Sequence, residues 1–133
     1  MKQGGGKVIY KELSYRIVGI LYEVYNSLGY GYLEKHYEKA IEKCFIDYQI
    51  KYVRQAPYKI IFRKEVVGRN YMDFIVDNKI VLELKRGDHF SKSNIEQIKS
   101  YLAVTGMKLA ILAHFTSKGV KIFRIFNPNN LKE

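Results

Sequence analysis

The sequence predicts an α/β domain in which helices flank a mixed central β-sheet. Two amphipathic helical stripes come first, three strand-like segments follow, and a third helical stripe precedes two more strands. Helices and strands in this order pack as a sheet with helices on its faces. The chain has 133 residues, of which 47% are hydrophobic, and this suits one domain with one core.

Two helices are predicted before the first strand. Apolar side chains recur at helical spacing over residues 11–27, and Gly29 and Gly31 then interrupt the pattern. A second apolar stripe covers residues 33–48 and leaves charged residues on the solvent side. At about 100° per residue, Glu34 lies at the edge of that stripe. It can therefore point toward the sheet without entering the core.

Three strands with two turns form the middle of the chain. The predicted strands are residues 53–63, 69–76 and 79–86, and the predicted turns are residues 64–68 and 77–78. We expect these strands to form an antiparallel meander.

The last third of the chain predicts a helix and two strands. Ser93 and Glu96 have the spacing of a capping box, and Gly106 is expected to end the helix. Residues 107–115 are almost wholly apolar, as in a central strand that is covered on both faces. Residues 119–126 are the last predicted strand.

The ends of the chain are not expected to belong to the fold. Residues 1–7 include three consecutive glycines and are predicted to be disordered. The domain then covers residues 8–126, and residues 127–133 are a tail.

The charge of the chain favours a polyanionic partner. Twenty-three basic residues against 13 acidic residues give a formal net charge of +10, which suits nucleic acid or an anionic membrane surface. No long apolar run and no secretory amino terminus is present, so we expect no membrane insertion and a cytoplasmic location. The basic residues are dispersed and no base-reading motif is visible, which favours binding through the nucleic-acid backbone.

Cysteine and histidine offer little for a metal site. The single Cys44 cannot form an internal disulfide and is expected to be a small core residue. The three histidines show no ligand spacing, and only His89, in the loop after Lys85, merits attention as a site residue.

Two carboxylates and a lysine are expected to meet at one edge of the sheet. Asp73 lies on one predicted strand, and Glu83 and Lys85 lie two residues apart on the next, so these last two share a face. Carboxylate oxygens suit a hard divalent cation, and the lysine can orient or deprotonate a water. The alternative is a solvated salt bridge across the hairpin.

These residues resemble the core signature of the PD-(D/E)XK nuclease superfamily. That signature pairs an acid such as Asp73 with a segment such as Glu83-Leu84-Lys85 on the next strand. Gly31, Glu34 and Tyr37 have the spacing of the motif that names the GxxExxY family within the superfamily. Residues 97–101 match the QxxxY element that follows the third core strand in several nuclease branches. Met72 stands where many members have proline.

The resemblance implies a restriction-endonuclease-like fold and a metal-dependent nuclease that hydrolyses phosphodiester bonds in nucleic acid, with DNA favoured. Mg²⁺ is the implied cofactor, and Mn²⁺ can substitute. Asp73, Glu83 and the Leu84 carbonyl would bind the metal, Lys85, Glu34 and Gln97 would act in catalysis, and Tyr101 and Arg86 would bind substrate.

Other interpretations stay open at this point. Glu34 can be an early-turn glutamate favoured by the helix dipole, Gln97 a surface residue, and Tyr101 a core aromatic residue. The whole chain can be a non-catalytic nucleic-acid-binding module that keeps the fold, or a protein-interaction subunit. A homodimer would suit an enzyme that cuts two strands, and the tyrosine-rich first helix offers an apolar surface for one.

Overall fold

The computed structural model describes residues 9–129, and this part of the chain forms three helices and five strands. In chain order these are α1 (Lys11–Leu28), α2 (Glu34–Asp47), β1 (Tyr52–Phe62), β2 (Glu65–Val76), β3 (Ile80–Arg86), α3 (Lys92–Thr105), β4 (Leu109–Thr116) and β5 (Gly119–Phe126). The predicted disordered segment, residues 1–7, and the last four residues of the predicted tail lie outside the described residues.

The strands form one sheet in the order β1-β2-β3-β4-β5, and the predicted mixed α/β architecture is confirmed. The pairs β1/β2, β2/β3 and β4/β5 are antiparallel, whereas β3 and β4 are parallel. A parallel pair needs a crossover, and α3 supplies it. None of the helices within residues 9–129 is long and apolar enough to cross a membrane.

Helices cover both faces of the sheet. On one face, α1 and α2 pack buried residues such as Leu21 and Ile41 against Leu82 and Ile111 of the sheet. On the other face, α3 packs Leu102 and its neighbours against the alternate residues of β3 and β4. Every residue of β4 is buried, as its apolar sequence predicts for a central strand. Cys44 lies partly buried at the edge of the first cluster.

The hairpin between β1 and β2 is longer than predicted, and the predicted turn at residues 64–68 is wrong. Only Arg63 and Lys64 form the turn, and both have positive φ, at 50° and 67°. A two-residue turn of this kind matches the twist of the strands it joins. Gly68 is instead a strand residue opposite Ile60. The predicted turn at Asp77-Asn78 is confirmed.

The N-terminal cap of helix α3 lies two residues before the predicted capping box at Ser93. Its N-cap is Ser91, whose hydroxyl accepts a hydrogen bond from the Ser93 N–H. The predicted stop at Gly106 is confirmed, since this glycine has a φ of 77° and donates its N–H to the Leu102 carbonyl at 2.8 Å.

Asn127, the first residue of the predicted tail, is only 1% exposed. Its side-chain amide donates to the carbonyls of Leu102 and Met107, at 2.8 Å in each case. The residue therefore ties the end of β5 to the end of α3.

Candidate active site

The site lies where β2 and β3 separate. Their antiparallel ladder has three pairs, from Val76 opposite Ile80 to Phe74 opposite Leu82. Beyond Leu82, β3 continues to Arg86 with β4 as its partner. Asp73 and Glu83 are the first residues past the last pair, so the hydrogen-bond ladder between β2 and β3 no longer includes them.

The two carboxylates satisfy the backbone N–H groups at this point reciprocally. Glu83 Oε1 accepts the N–H of Asp73 at 2.7 Å, and Asp73 Oδ2 accepts the N–H of Leu84 at 2.8 Å. Buried N–H groups need such partners, and each bond fixes the carboxylate that makes it. The alternative of a solvated salt bridge does not apply, because no ion pair within residues 9–129 includes Asp73, Glu83 or Lys85.

Glu83 sits in an unfavourable place for a negative charge. Glu83 is only 8% exposed. Burial, and next the charge of Asp73, raise the pKa of Glu83 to about 8, while the Asp73 N–H and Lys85 act in the opposite direction. A cation placed beside this carboxyl group would stabilise its charged form.

Glu34 approaches the same charges from a distant part of the chain. Partial desolvation of its carboxyl group raises its pKa, Asp73 raises the pKa further, and Lys85 and the backbone and side chain of Arg86 lower it. These influences require proximity. The structure therefore brings Glu34, Asp73, Glu83 and Lys85 into one electrostatic cluster from three separate segments.

The start of α2 is held at this position by Tyr37. The Tyr37 hydroxyl donates to the Gly29 carbonyl at 2.7 Å, and its ring stacks on Phe115 with centroids 4.2 Å apart. Phe115 pairs with Arg86 across the parallel strands β3 and β4. The first turn of α2, which contains Glu34, consequently lies over the carboxyl ends of these two strands.

Arg86 has free hydrogen-bonding capacity next to this cluster. Its guanidinium lies over the Tyr30 ring, 5.2 Å from the centroid. The Arg86 Nε atom is buried and has no hydrogen-bond partner within residues 9–129. Buried donors without partners are uncommon, so this N–H is available to an anionic ligand.

Gln97 and Tyr101 occupy a different neighbourhood. Gln97 is exposed and lines a groove of about 380 Å³ between α3 and the β1–β2 hairpin, together with Tyr58 and Asn70. No hydrogen bond in the described part of the chain joins it to the carboxylates. Tyr101 is 3% exposed and packs edge-on against Tyr58, with ring centroids 4.7 Å apart. The catalytic role of Gln97 and the substrate-binding role of Tyr101 stay predictions.

Two further predicted roles also stay predictions. The Leu84 N–H is bonded to Asp73, and its side chain is buried in the core, so its proposed metal contact would use the carbonyl alone. His89, the histidine singled out from the sequence, is exposed.

His114 is a site neighbour to which the sequence analysis assigned no role. It pairs with Lys85 across β3 and β4, so the two side chains lie on the same face of the sheet. His114 is 3% exposed, its Nε2 has no partner within residues 9–129, and its ring contacts Phe90. The sequence signal that could have identified His114 is its position as the one ionisable residue within the buried strand β4.

A family comparison identifies this arrangement. The model of the PD-(D/E)XK nuclease superfamily matches residues 11–125. The chain belongs to this superfamily. No curated protein matches the chain.

A solved structure shares the fold of this chain. The chain is similar to the protein in "Crystal structure of SSO0001", with a TM-score of 0.54 and 18% sequence identity. The similarity covers 90% of this chain and 58% of that one. The chain thus spans less than two thirds of SSO0001, and the likeness concerns the fold alone.

The donor set of this PD-(D/E)XK domain fits a hard divalent cation. Within residues 9–129, no group of three or more His, Cys, Asp and Glu side chains is arranged as a ready-made metal site. Mg²⁺ does not require one, because it commonly takes one or two protein carboxylates and completes its shell with water and phosphate. The adjacent Asp73 and Glu83, with the pKa of Glu83 raised by burial and repulsion, provide that pair.

Proposed function

We propose that this PD-(D/E)XK domain is a divalent-metal-dependent nuclease of the GxxExxY family that hydrolyses phosphodiester bonds, with DNA as its preferred substrate. The observation that supports this most strongly is the reciprocal bonding of Asp73 and Glu83 beside Lys85 and Glu34. The net charge of +10 favours a polyanionic substrate.

Each residue of the cluster has a role in the proposed reaction. Asp73, Glu83 and the Leu84 carbonyl would hold Mg²⁺ or Mn²⁺. The metal, when bound, supplies Lewis-acid stabilisation of the phosphodiester and a water of lowered pKa. Lys85 would orient the attacking water and stabilise negative charge as it develops on the phosphate. Glu34 would hold the water or the metal's outer ligands from the side of α2.

Arg86 is proposed to bind the substrate phosphate. Guanidinium groups bind phosphate with paired N–H bonds, and the Arg86 Nε is a buried donor without a protein partner in the described residues. Its stacking on Tyr30 holds the group next to Glu34 and limits the conformations that binding must restrict.

Cleavage by purified protein tests the proposal. Wild-type protein is incubated with Mg²⁺ or Mn²⁺ and with plasmid, linear duplex, branched DNA, single-stranded DNA and RNA. We expect cleavage of at least one DNA substrate, and a loss of at least about 100-fold in Asp73→Asn, which keeps an acceptor for the Leu84 N–H. Asp77→Asn, in the turn at the end of β2, is the matched control and should retain wild-type activity. Equal activity of wild type and Asp73→Asn on every substrate would overturn the proposal.

A second candidate is a nucleic-acid-binding module without catalysis. It is favoured by the raised pKa of Glu83, which keeps this carboxyl group protonated at neutral pH when no metal ion is bound. Binding that weakens steeply with salt but is unchanged by EDTA and by Asp73→Asn, without cleavage of any substrate, would select this candidate.

A further inference from the structure

The hairpin formed by β1 and β2 extends well beyond the rest of the sheet. β1 and β2 pair from Tyr52 opposite Val76 to Phe62 opposite Glu65, whereas β3 pairs with β2 only as far as Phe74. Residues 59–69, here called the arm, therefore form a two-stranded ribbon, and no third strand from residues 9–129 lies on either side. The base of the arm is fixed by Tyr58, whose hydroxyl accepts a bond from Asn70 and whose ring contacts Tyr101.

The arm carries an excess of positive charge. It has four basic residues and one acidic residue, Glu65, for a net charge of +3. The basic residues are Lys59, Arg63, Lys64 and Arg69, and no ion pair within residues 9–129 includes any residue of the arm. Lys59 and Arg69 are directly opposite each other across the two strands. Like charges at such a position destabilise a hairpin, so their place is best explained by an anionic ligand.

The tip of the arm is apolar and exposed. Five apolar side chains there are between 41% and 60% exposed, namely Ile60, Ile61, Phe62, Val66 and Val67. The register shifts between Ile60 and Ile61, which leaves Val67 as an extra residue on β2. Arg63 lies over the Phe62 ring at 5.1 Å. Cations and exposed apolar groups are thus interleaved on one narrow ribbon.

This combination fits a nucleic-acid duplex better than a second copy of the chain. Two arms would bring eight basic residues together, and charged edge strands also resist pairing with one another. The major groove of a duplex admits a two-stranded ribbon, and apolar side chains contact the thymine methyl groups that it presents.

The arm also has a defined relation to the acid cluster, because β2 contains both. Val67 is six residues from Asp73, a distance of about 20 Å along an extended strand. At about 3.4 Å per base step, this corresponds to about six steps of duplex.

We propose that the arm binds duplex nucleic acid to one side of the bond to be cleaved. Lys59 and Arg69 contact phosphates, and the tip around Phe62 and Val67 contacts the bases in a groove. The position relative to the cleaved bond rests on the proposed nuclease function, whereas duplex binding by the arm does not.

The salt dependence of binding tests the charged part of the arm. Binding of the full chain to a labelled duplex is measured by fluorescence anisotropy in EDTA over a series of NaCl concentrations. The double variant Lys59→Gln/Arg69→Gln should make the negative slope of log K against log salt shallower by about 1.8, since each phosphate contact contributes about −0.9. Lys121→Gln/Arg124→Gln, which removes one lysine and one arginine from exposed positions on β5, should leave the slope unchanged.

The apolar tip is tested with a second matched pair. Val67→Ser should weaken duplex binding about five-fold, because the variant lacks the apolar side chain that leaves water when it contacts the bases. Val53→Ser, an exposed valine at the other end of β1, should bind like wild type. Circular dichroism checks that each variant is folded.

Three results would overturn the proposal: equal slopes for the arm and β5 double variants, single-stranded DNA bound more tightly than duplex, or self-association that is lost in Val67→Ser. Arm-dependent binding without cleavage would contradict only the nuclease function. Cleavage with unchanged binding by the arm variants would contradict only the arm.

Discussion

Asp73 and Glu83 hold each other in place through the backbone: Glu83 accepts the N–H of Asp73, and the carboxylate of Asp73 accepts the N–H of the residue after Glu83. The two acids are therefore one structural unit rather than two independent ligands. Substitutions of the two residues are expected to be non-additive in stability and in metal binding.

The pKa of Glu83 predicts how stability changes with pH. This pKa is raised to about 8, so the folded protein retains a proton that the unfolded chain loses near the ordinary value. The resulting stability is complete below the ordinary pKa and is lost as the pH rises through about 8. We expect the urea midpoint of wild type to fall between about pH 5.5 and about pH 8.5, and that of Glu83→Gln to fall less. Parallel curves for the two proteins would show that Glu83 has an ordinary pKa.

Added Mg²⁺ should stabilise the fold, and more so at high pH. The metal and the proton compete for the same carboxyl group, so binding is weak where Glu83 is protonated. The increase in melting temperature on adding Mg²⁺ should thus grow from about pH 6 to about pH 8.5. Differential scanning calorimetry measures it without any need for cleavage. The increase should be much smaller in Glu83→Gln, and an equal increase in both proteins would place the metal elsewhere.

Glu34→Gln should weaken Mg²⁺ binding and cleavage by about 10-fold to 100-fold, because its carboxyl group supports the cluster from α2. The matched control is Glu12→Gln, since Glu12 and Glu34 both lie in the first turn of a helix. Loss of the favourable helix-dipole interaction should lower the free energy of unfolding of each variant by only about 0.5 kcal/mol. Isothermal titration with Mg²⁺ and a cleavage assay compare them. If both variants behave alike, Glu34 has only the early-turn role.

Lys85→Met should reduce cleavage at least about 100-fold. It should also raise the pKa of Glu83 further, because Lys85 now lowers it. The pH at which Mg²⁺ begins to stabilise the protein should therefore move upward. Lys79→Met, which replaces an exposed lysine in the turn just before the same strand, is the control. A pH profile that does not move in Lys85→Met would separate this lysine from the cluster.

Asn127→Ala should destabilise the fold by about 1 to 3 kcal/mol, because a buried carbonyl and a partly buried carbonyl lose their donor. Asn129→Ala is the control, since Asn129 contributes only its backbone N–H to the same network. Urea unfolding measures both. An unchanged midpoint in Asn127→Ala would show that these two hydrogen bonds do not stabilise the domain.

Sequence patterns were sufficient for the order of elements because they reflect burial. The apolar run of β4 and the helical stripes on α1 and α2 record which side chains face the core. The positive φ angles at Asp77 and Asn78 also have a sequence signal, since these residue types tolerate that conformation.

The errors arose where tertiary structure decides between similar local options. Arg63 and Lys64 adopt positive φ without a glycine or asparagine, so the long hairpin left no turn signal at its actual tip. Ser91 and Ser93 are both suitable N-caps, and their neighbours decide which one is used. The spacing of the residues predicted that acids from two strands would meet. It did not predict that β2 and β3 separate at this point, or that the acid side chains bridge the gap between them.

The turn at Asp77-Asn78 has a practical consequence. It is the short connection between the strand that contains Asp73 and the strand that contains Glu83, so opening the chain there would divide the acid pair between two peptides. Neither peptide could assemble the site alone. Such a split protein would act as a complementation reporter, in which recovered Mg²⁺ binding signals that the two halves have come together.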